Sequence, residues 1–202
     1  MHIGIDFDNT IVCYDALFHK VACERSLIPD NLAPNKLAVR NYLRAEGLED
    51  RWTEMQGYVY GTRMDEAVAY DGAIDFVEQM IAIGHTVSIV SHKTRHPLMG
   101  PSYDLHAAAR SWIDSHLACR LPKISAPLQA YFELTKKDKL SRIAQSGCDA
   151  FIDDLPEILL AEDFPPATQR LLFDPEAHHQ VSTRGLQSFN SWRQLALYFE
   201  QS

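Results

Sequence analysis

The chain has 202 residues, of which 46% are hydrophobic and 23% are charged, a composition typical of a globular protein and a length that suits one domain carrying a small insertion. Lys and Arg total 19 against 27 Asp and Glu, so the formal net charge is −8. An acidic chain without a basic tract argues against binding to a nucleic-acid backbone or an anionic membrane, and no apolar stretch approaches the ~20 residues that span a bilayer. We therefore expect a soluble, cytoplasmic protein.

The apolar residues predict strands that alternate with helices. Ile3 and Ile5 alternate in a β-branched segment, whereas later apolar residues recur at helical spacing. Ser102 is the expected N-cap of the helix that follows Pro101. This alternation predicts an α/β fold with a doubly wound, mostly parallel sheet covered on both faces. The predicted strands are 2–6, 86–90, 129–134, 150–152 and 171–173, and the predicted helices surround 74–81, 105–113, 140–144 and 192–199.

The segment between the first strand and the helix that starts near Asp71 does not fit this alternation. It has helical patterns at 16–25, 37–45 and 52–60 but no convincing strand. Because a crossover between parallel strands needs only one helix, the surplus predicts an inserted helical subdomain. We assign residues 1–12 and 70–202 to the core domain and 13–69 to the insertion.

Acidic side chains follow the strands at one edge of the predicted sheet. Asp6 and Asp8 follow the first strand, Ser91 follows the second, and Asp153 and Asp154 follow a later one. Ligands of open parallel sheets bind outside the carboxyl ends of the strands. Clustered carboxylates repel one another unless a cation is present, and hard oxygen ligands favour Mg²⁺. The sequence therefore predicts a magnesium site and, with it, phosphoryl chemistry.

The segment Asp6-Phe7-Asp8-Asn9-Thr10 resembles the DxDxT signature of the haloacid dehalogenase-like (HAD) phosphohydrolase superfamily. Ser91 is similar to the second motif of that superfamily, and Asp153-Asp154 to its acidic fourth motif in the DD form. The resemblance implies a Rossmann-like, HAD-like core and a helical cap inserted after the first motif.

The third motif of the superfamily is a lysine that precedes the fourth, and three lysines qualify. Lys139 is our choice because it directly precedes the apolar face of a helix and lies 14 positions before Asp153. Lys137 and then Lys136 are the alternatives.

The resemblance also implies a role for each site residue. Asp6 would be the nucleophile that forms an aspartyl-phosphate, and Asp8 the general acid and base. The candidate Mg²⁺ ligands are Asp6, the backbone carbonyl of Asp8, Asp153 and Asp154. Catalytic Lys139 and Ser91 would contact phosphoryl oxygens, and Thr10, which fixes the turn, is a further candidate substrate-binding residue. His92 and Lys93 are candidate substrate-binding residues because they lie in a basic loop beside Ser91, not because of the resemblance.

The basic loop 91–96 is open to two interpretations, a second anion-binding site or an exposed loop. The reaction favoured is Mg²⁺-dependent hydrolysis of a phosphate ester, because Asp8 supplies the proton that a halide leaving group does not need. The alternatives are a phosphotransferase, a receiver-like signalling module, and a metal- or partner-binding scaffold without turnover. A short cap favours a small phosphorylated metabolite as partner, and no pattern indicates an oligomeric state.

Overall fold

The computed structural model describes residues 1–121, 128–179 and 185–201. The chain divides into two compact units. The first, which we call the sheet unit, comprises Met1–Val12, Ala69–Lys93 and His116–Ser202. The second, the helical unit, comprises Cys13–Val68 and Thr94–Ser115. The domain boundaries that we predicted stay a prediction; the helical unit seen here includes 94–115, a segment that the sequence analysis assigned to the core domain.

The strands of the described residues form one large parallel sheet and one small separate sheet. The large sheet has the order β5-β4-β1-β6-β7-β8 and the small one consists of β2 and β3. Every pair of neighbouring strands in the large sheet is parallel. The strands are β1 (His2–Ile5), β2 (Val12–Cys13), β3 (Val68–Ala69), β4 (Thr86–His92), β5 (Gln129–Glu133), β6 (Ala150–Asp153), β7 (Gln169–Phe173) and β8 (Leu186–Phe189).

Strand β1 lies inside the large sheet, between β4 and β6. Ile3 pairs with Val87 on one side and with Ala150 on the other, and Ile3 and Ile5 are completely buried. Gly4 makes room for the ring of Phe151, since a Cβ at this position would come within 2.5 Å of that ring. The chain runs outward from β1 through β4 to β5 and then returns to β6, so its order reverses beside β1. Ligands of such sheets bind at this reversal, outside the carboxyl ends of the strands.

Helices cover both faces of the large sheet. On one face, α6 (Lys136–Ser146) and α7 (Pro156–Leu159) bury a core that includes Leu140, Ile143 and Ile158 against Phe151 and Leu172. On the other face, α4 (Ala73–Ala82) and α8 (Trp192–Glu200) pack together. The ring of Trp192 in α8 contacts both α4 and the sheet. Its centroid lies 5.0 Å from that of Phe76 in α4 and 5.3 Å from that of Phe173 in β7.

The helical unit has its own core. Helices α1 (Asp15–Glu24), α2 (Lys36–Ala45) and α3 (Glu49–Tyr60) pack on one another, and α5 (Leu105–Trp112) packs on α3. In this core the rings of Phe18 and Trp52 pack together with their centroids 4.9 Å apart. Two glycines of α3 make room for the loop before α5, since a Cβ at Gly57 would lie 2.6 Å from Pro97 and one at Gly61 would lie 2.6 Å from Tyr103. This close approach makes 94–115 part of the helical unit.

The predicted doubly wound α/β sheet is confirmed, and all three predicted helices of the insertion are present. Three expectations were wrong. The segment between β1 and α4, in which no strand was predicted, contains the two short strands β2 and β3. The predicted strand at 171–173 is followed by another, β8, whose residues are at most half-buried and therefore show no apolar pattern. The N-cap of α5 is Asp104, whose carboxylate accepts a hydrogen bond from the Ala107 N–H at 2.9 Å, rather than Ser102. None of the helices within the described ranges is both long and apolar enough to span a membrane.

The side chain of Thr135 caps the start of helix α6, and we expect this cap to contribute to the free energy of unfolding. The Thr135 hydroxyl accepts a hydrogen bond from the Asp138 N–H at 3.0 Å and donates one to the Asp138 carboxylate at 2.7 Å. We predict that Thr135→Ala lowers the free energy of unfolding by about 1 kcal/mol, whereas Thr135→Ser retains the cap. Urea unfolding of both variants checks this, and equal losses from the two would show that the hydroxyl does not act as a cap.

Candidate active site

Three of the four acidic residues predicted to converge, Asp6, Asp153 and Asp154, meet at the carboxyl edge of the sheet. Asp6 directly follows β1, and Asp153 ends the neighbouring strand β6. The Asp6 N–H continues the ladder between these strands by donating to the Ile152 carbonyl at 2.9 Å. Both carboxylates are buried, with Asp153 completely inaccessible. The parallel pairing of β1 and β6 thus places two acids from distant parts of the sequence side by side.

A single buried ammonium group joins these two carboxylates. The Nζ of Lys139 lies 2.6 Å from Asp6 Oδ1 and 2.6 Å from Asp153 Oδ2. Lys139 lies on the first turn of α6 and its side chain is only 2% exposed. Of the three candidate lysines, Lys136 instead pairs with Glu157 at the surface, and Lys137 is exposed.

Burial and charge set the protonation of this trio. Burial alone would lower the pKa of Lys139, but the charges of Asp153 and Asp6 and the hydrogen bonds to them outweigh it and raise that pKa above its ordinary value. Burial also raises the pKa of Asp153 to about 6, with the Lys139 charge lowering it and the Asp6 charge raising it. At neutral pH Lys139 therefore keeps its proton and Asp153 is mostly ionised.

The second oxygen of each carboxylate also has a partner. The Thr10 hydroxyl lies 3.4 Å from Asp6 Oδ2 and 3.4 Å from Asp154 Oδ1, so it links the carboxylates of Asp6 and Asp154. Asp153 Oδ1 accepts a hydrogen bond from the Leu155 N–H at 2.9 Å. These contacts fix the orientation of Asp6 and Asp153, and they give Thr10 a positioning role.

The donor set suits a hard divalent cation. One oxygen each from Asp6, Asp153 and Asp154 lies within 4.8 Å of the others, and opposite ligands of Mg²⁺ are about 4 Å apart. Small side-chain adjustments would therefore close the group around one ion. These three carboxylates and Lys139 sum to a formal charge of −2, which one Mg²⁺ balances. The residues present thus fit the magnesium that the sequence analysis expected.

Asp8 directs its carboxylate elsewhere, to a lysine that follows β4. The Nζ of Lys93 lies 2.8 Å from Asp8 Oδ1 and 2.7 Å from Asp8 Oδ2. The side chains are 4% and 19% exposed, respectively. Lys93 is one of the predicted substrate-binding residues, but its pairing with Asp8 was not predicted from the sequence. The alternation of residues along β4 was the available signal, since it puts Ser91 and Lys93 on the same face of the strand.

The other two residues predicted near β4 separate. Ser91 is buried at the end of the strand, opposite Phe132 of β5. The ring of His92, the intervening residue, hydrogen-bonds to the Leu134 carbonyl at 3.1 Å. The structure therefore does not bring His92 to the acidic cluster, because neighbouring residues of a strand face opposite sides of the sheet.

Comparison with known proteins supports the fold assignment. No family model and no curated protein sequence matches this chain. A predicted phosphatase from Clostridium acetobutylicum has a similar structure, with a TM-score of 0.61, 13% sequence identity and coverage of 100% of this chain and 98% of the other.

Two further solved structures have a similar fold. A dehalogenase determined with an intermediate complex has a TM-score of 0.57 and 16% identity over 98% of this chain and 96% of its own. The Bacillus subtilis HAD-type protein YfnB, determined with bound magnesium, has a TM-score of 0.51 and 13% identity over 98% and 97% of the two chains. The fold is therefore HAD-like, as the sequence motifs implied, and it is the fold of HAD-superfamily hydrolases.

The raised pKa of Asp153 predicts a pH-dependent stability of the metal-free protein. Between about pH 4 and pH 6 the folded state retains a proton on Asp153 that the unfolded state has lost. The free energy of unfolding should therefore fall as pH rises through this range, by up to about 3 kcal/mol from this group. Urea unfolding at several pH values checks this, with Asp153→Asn as the variant that lacks the ionisation.

The difference between the unfolding free energies of wild type and Asp153→Asn at each pH isolates the contribution of Asp153, because the other titrating groups are present in both proteins. If Asp153 is a ligand of Mg²⁺, saturating Mg²⁺ should oppose the fall in wild type, because a metal would bind the ionised form of this carboxylate. Parallel pH profiles for the two proteins would contradict the assignment.

Proposed function

We propose that this protein is a Mg²⁺-dependent phosphatase that hydrolyses a small phosphomonoester through an aspartyl-phosphate on Asp6. The observation that carries the proposal is the contact of Asp6 with buried Lys139, beside Asp153 and Asp154, with a second acid, Asp8, two positions further on. A nucleophile, a fixed cation, a candidate metal site and a proton carrier thus come from one edge of the sheet.

In the first half-reaction, an oxygen of Asp6 attacks the phosphorus while the ester P–O bond breaks. Protonated Asp8 transfers its proton to the departing oxygen, so the products are an alcohol and phospho-Asp6. Lys139 orients the attacking carboxylate, and its charge offsets part of the negative charge that accumulates on the phosphoryl oxygens. Ser91 is proposed to donate a hydrogen bond to one of these oxygens.

In the second half-reaction, Asp8 acts as a base. It takes a proton from a water molecule, whose oxygen attacks the phosphorus and displaces the carboxylate of Asp6 as inorganic phosphate forms. Both the proton on Asp8 and the free carboxylate of Asp6 are thereby restored. Bound Mg²⁺, held by Asp6, Asp153, Asp154 and the carbonyl of Asp8, would supply electrostatic stabilisation of the phosphoryl oxygens.

The presence of Asp8 supports hydrolysis of a phosphate ester over dehalogenation, since halide departs without a proton. The class of substrate, a small phosphorylated metabolite, and the cytoplasmic location both stay proposals, supported by the short inserted segment and by the acidic composition. An acceptor other than water would make the protein a phosphotransferase with the same residues in the first half-reaction.

Release of phosphate from a panel of phosphorylated metabolites in Mg²⁺ tests the proposal. We expect wild type to turn over at least one phosphomonoester. Asp6→Asn should lower kcat by at least about 10³-fold, because it removes the nucleophile, and Asp8→Asn should lower it by about 10²–10⁴-fold. Asp163→Asn, which changes an exposed acid outside the cluster, is the matched control and should retain wild-type activity.

Thermal unfolding verifies that each variant is folded. Unaltered turnover in Asp6→Asn would exclude Asp6 as the nucleophile. Substrate turnover that requires an added alcohol and yields a new phosphate ester in place of inorganic phosphate would identify a phosphotransferase. Release of halide from a haloacid in place of phosphate would identify a dehalogenase.

A further inference from the structure

Lys93 is held firmly at the end of the sheet. Its backbone N–H donates to the Glu133 carbonyl at 2.9 Å, which extends the ladder between β4 and β5 by one residue. Its Nζ lies 5.8 Å from the centroid of the Phe7 ring, and that ring in turn packs edge-on against Phe132 at 5.7 Å. An aromatic surface and a carboxylate thus surround an ammonium group that has lost nearly all of its contact with water.

The backbone at Asp8 is equally constrained. The N–H groups of Ile11 and Val12 both donate to the Phe7 carbonyl, at 3.1 and 3.0 Å. Asn9 adopts a left-handed conformation with φ of 60°, and its N–H donates to the Val12 carbonyl at 2.9 Å. This tight turn fixes the Cα of Asp8, but the two side-chain torsions of an aspartate remain to be set.

The contact with Lys93 sets those torsions. A single Nζ reaches both carboxylate oxygens, at 2.7 and 2.8 Å, so rotation of the carboxylate away from this position breaks two hydrogen bonds at once. Removing one partner of a buried ion pair leaves an uncompensated charge, which makes such a pair far more restrictive than an exposed one. The exposed Lys136–Glu157 pair, with side chains 50% and 58% exposed, has no comparable constraint.

We propose that Lys93 is a positioning residue for Asp8, which holds the carboxyl group where it exchanges protons with the leaving group and with water. The inference rests on the proposed function, because it assigns a role within the same reaction. An ammonium donates to a carboxyl oxygen whether or not the other oxygen carries a proton, so the contact serves both half-reactions. A displacement of about 1 Å at such a group costs roughly 10²-fold in rate.

The test compares two phosphate esters that differ in their need for a proton. Phenyl phosphate requires protonation of its leaving group, whereas 2,4-dinitrophenolate departs unprotonated. Single-turnover release of the phenol reports the first half-reaction alone. We expect Lys93→Met to slow release from phenyl phosphate by roughly 10²-fold and release from 2,4-dinitrophenyl phosphate by less than about threefold, with KM changed by less than about threefold.

Asp8→Asn should show the same selectivity, and the double variant should be no slower than Asp8→Asn because the two residues act as a unit. Lys136→Met is the matched control, and we expect wild-type rates on both esters. Calorimetric titration with Mg²⁺ should give the same affinity for Lys93→Met as for wild type. Lys93→Gln, which keeps a donor without the charge, replaces Lys93→Met if that variant does not fold, and the expected loss is about tenfold on phenyl phosphate alone.

Equal losses on the two esters, or a raised KM with unchanged kcat, would overturn the inference and assign Lys93 to phosphate binding. Additive losses in the double variant would overturn it as well. If wild type hydrolyses neither ester and no member of the metabolite panel, or if Asp8→Asn shows no selectivity between the two esters, the proposed function fails instead.

Discussion

The candidate site depends on one buried ammonium group, the Nζ of Lys139, which lies between Asp6 and Asp153. Two neighbouring carboxylates that are buried away from water repel each other strongly, and a lysine buried alone in the same place would lose its charge. The Lys139 ammonium compensates part of the charge of the two carboxylates, and both of its contacts with them are 2.6 Å long. The remaining negative charge, which Asp154 increases, is what makes a divalent cation a suitable ligand.

The rest of the sheet unit serves to bring these three groups to one place. Parallel pairing of β1 and β6 sets Asp6 beside Asp153, and the face of α6 that packs on the sheet carries Lys139 with Leu140 and Ile143. The cap at Thr135 determines where α6 begins, and therefore where on the helix the lysine falls. A strand register or a helix start shifted by one residue would direct one member of the trio away from the others.

Local patterns explain how much of this the sequence could predict. The alternation at Ile3 and Ile5 and the helical spacing of apolar residues identified the sheet and most helices, and acids directly after strands marked the site. Strand β8 was not predicted because its residues are too exposed to form an apolar pattern. The Lys93–Asp8 pair joins residues 85 positions apart, and the packing of Pro97 on Gly57 depends on tertiary contacts. Alternation along β4 places Lys93 on the face of Ser91, but no local pattern identifies Asp8 as its partner or brings Pro97 to Gly57.

The central claim is that Asp6 presents a carboxylate oxygen to phosphorus beside a metal held by Asp153 and Asp154. A crystal structure with Mg²⁺ and beryllofluoride, which mimics a phosphoryl group on an aspartate, tests it most directly. We expect beryllium to be bonded to an Asp6 oxygen, with magnesium ligated by Asp6, Asp153 and Asp154. Beryllofluoride bonded to any other residue, or magnesium bound without Asp6 and Asp153, would contradict it.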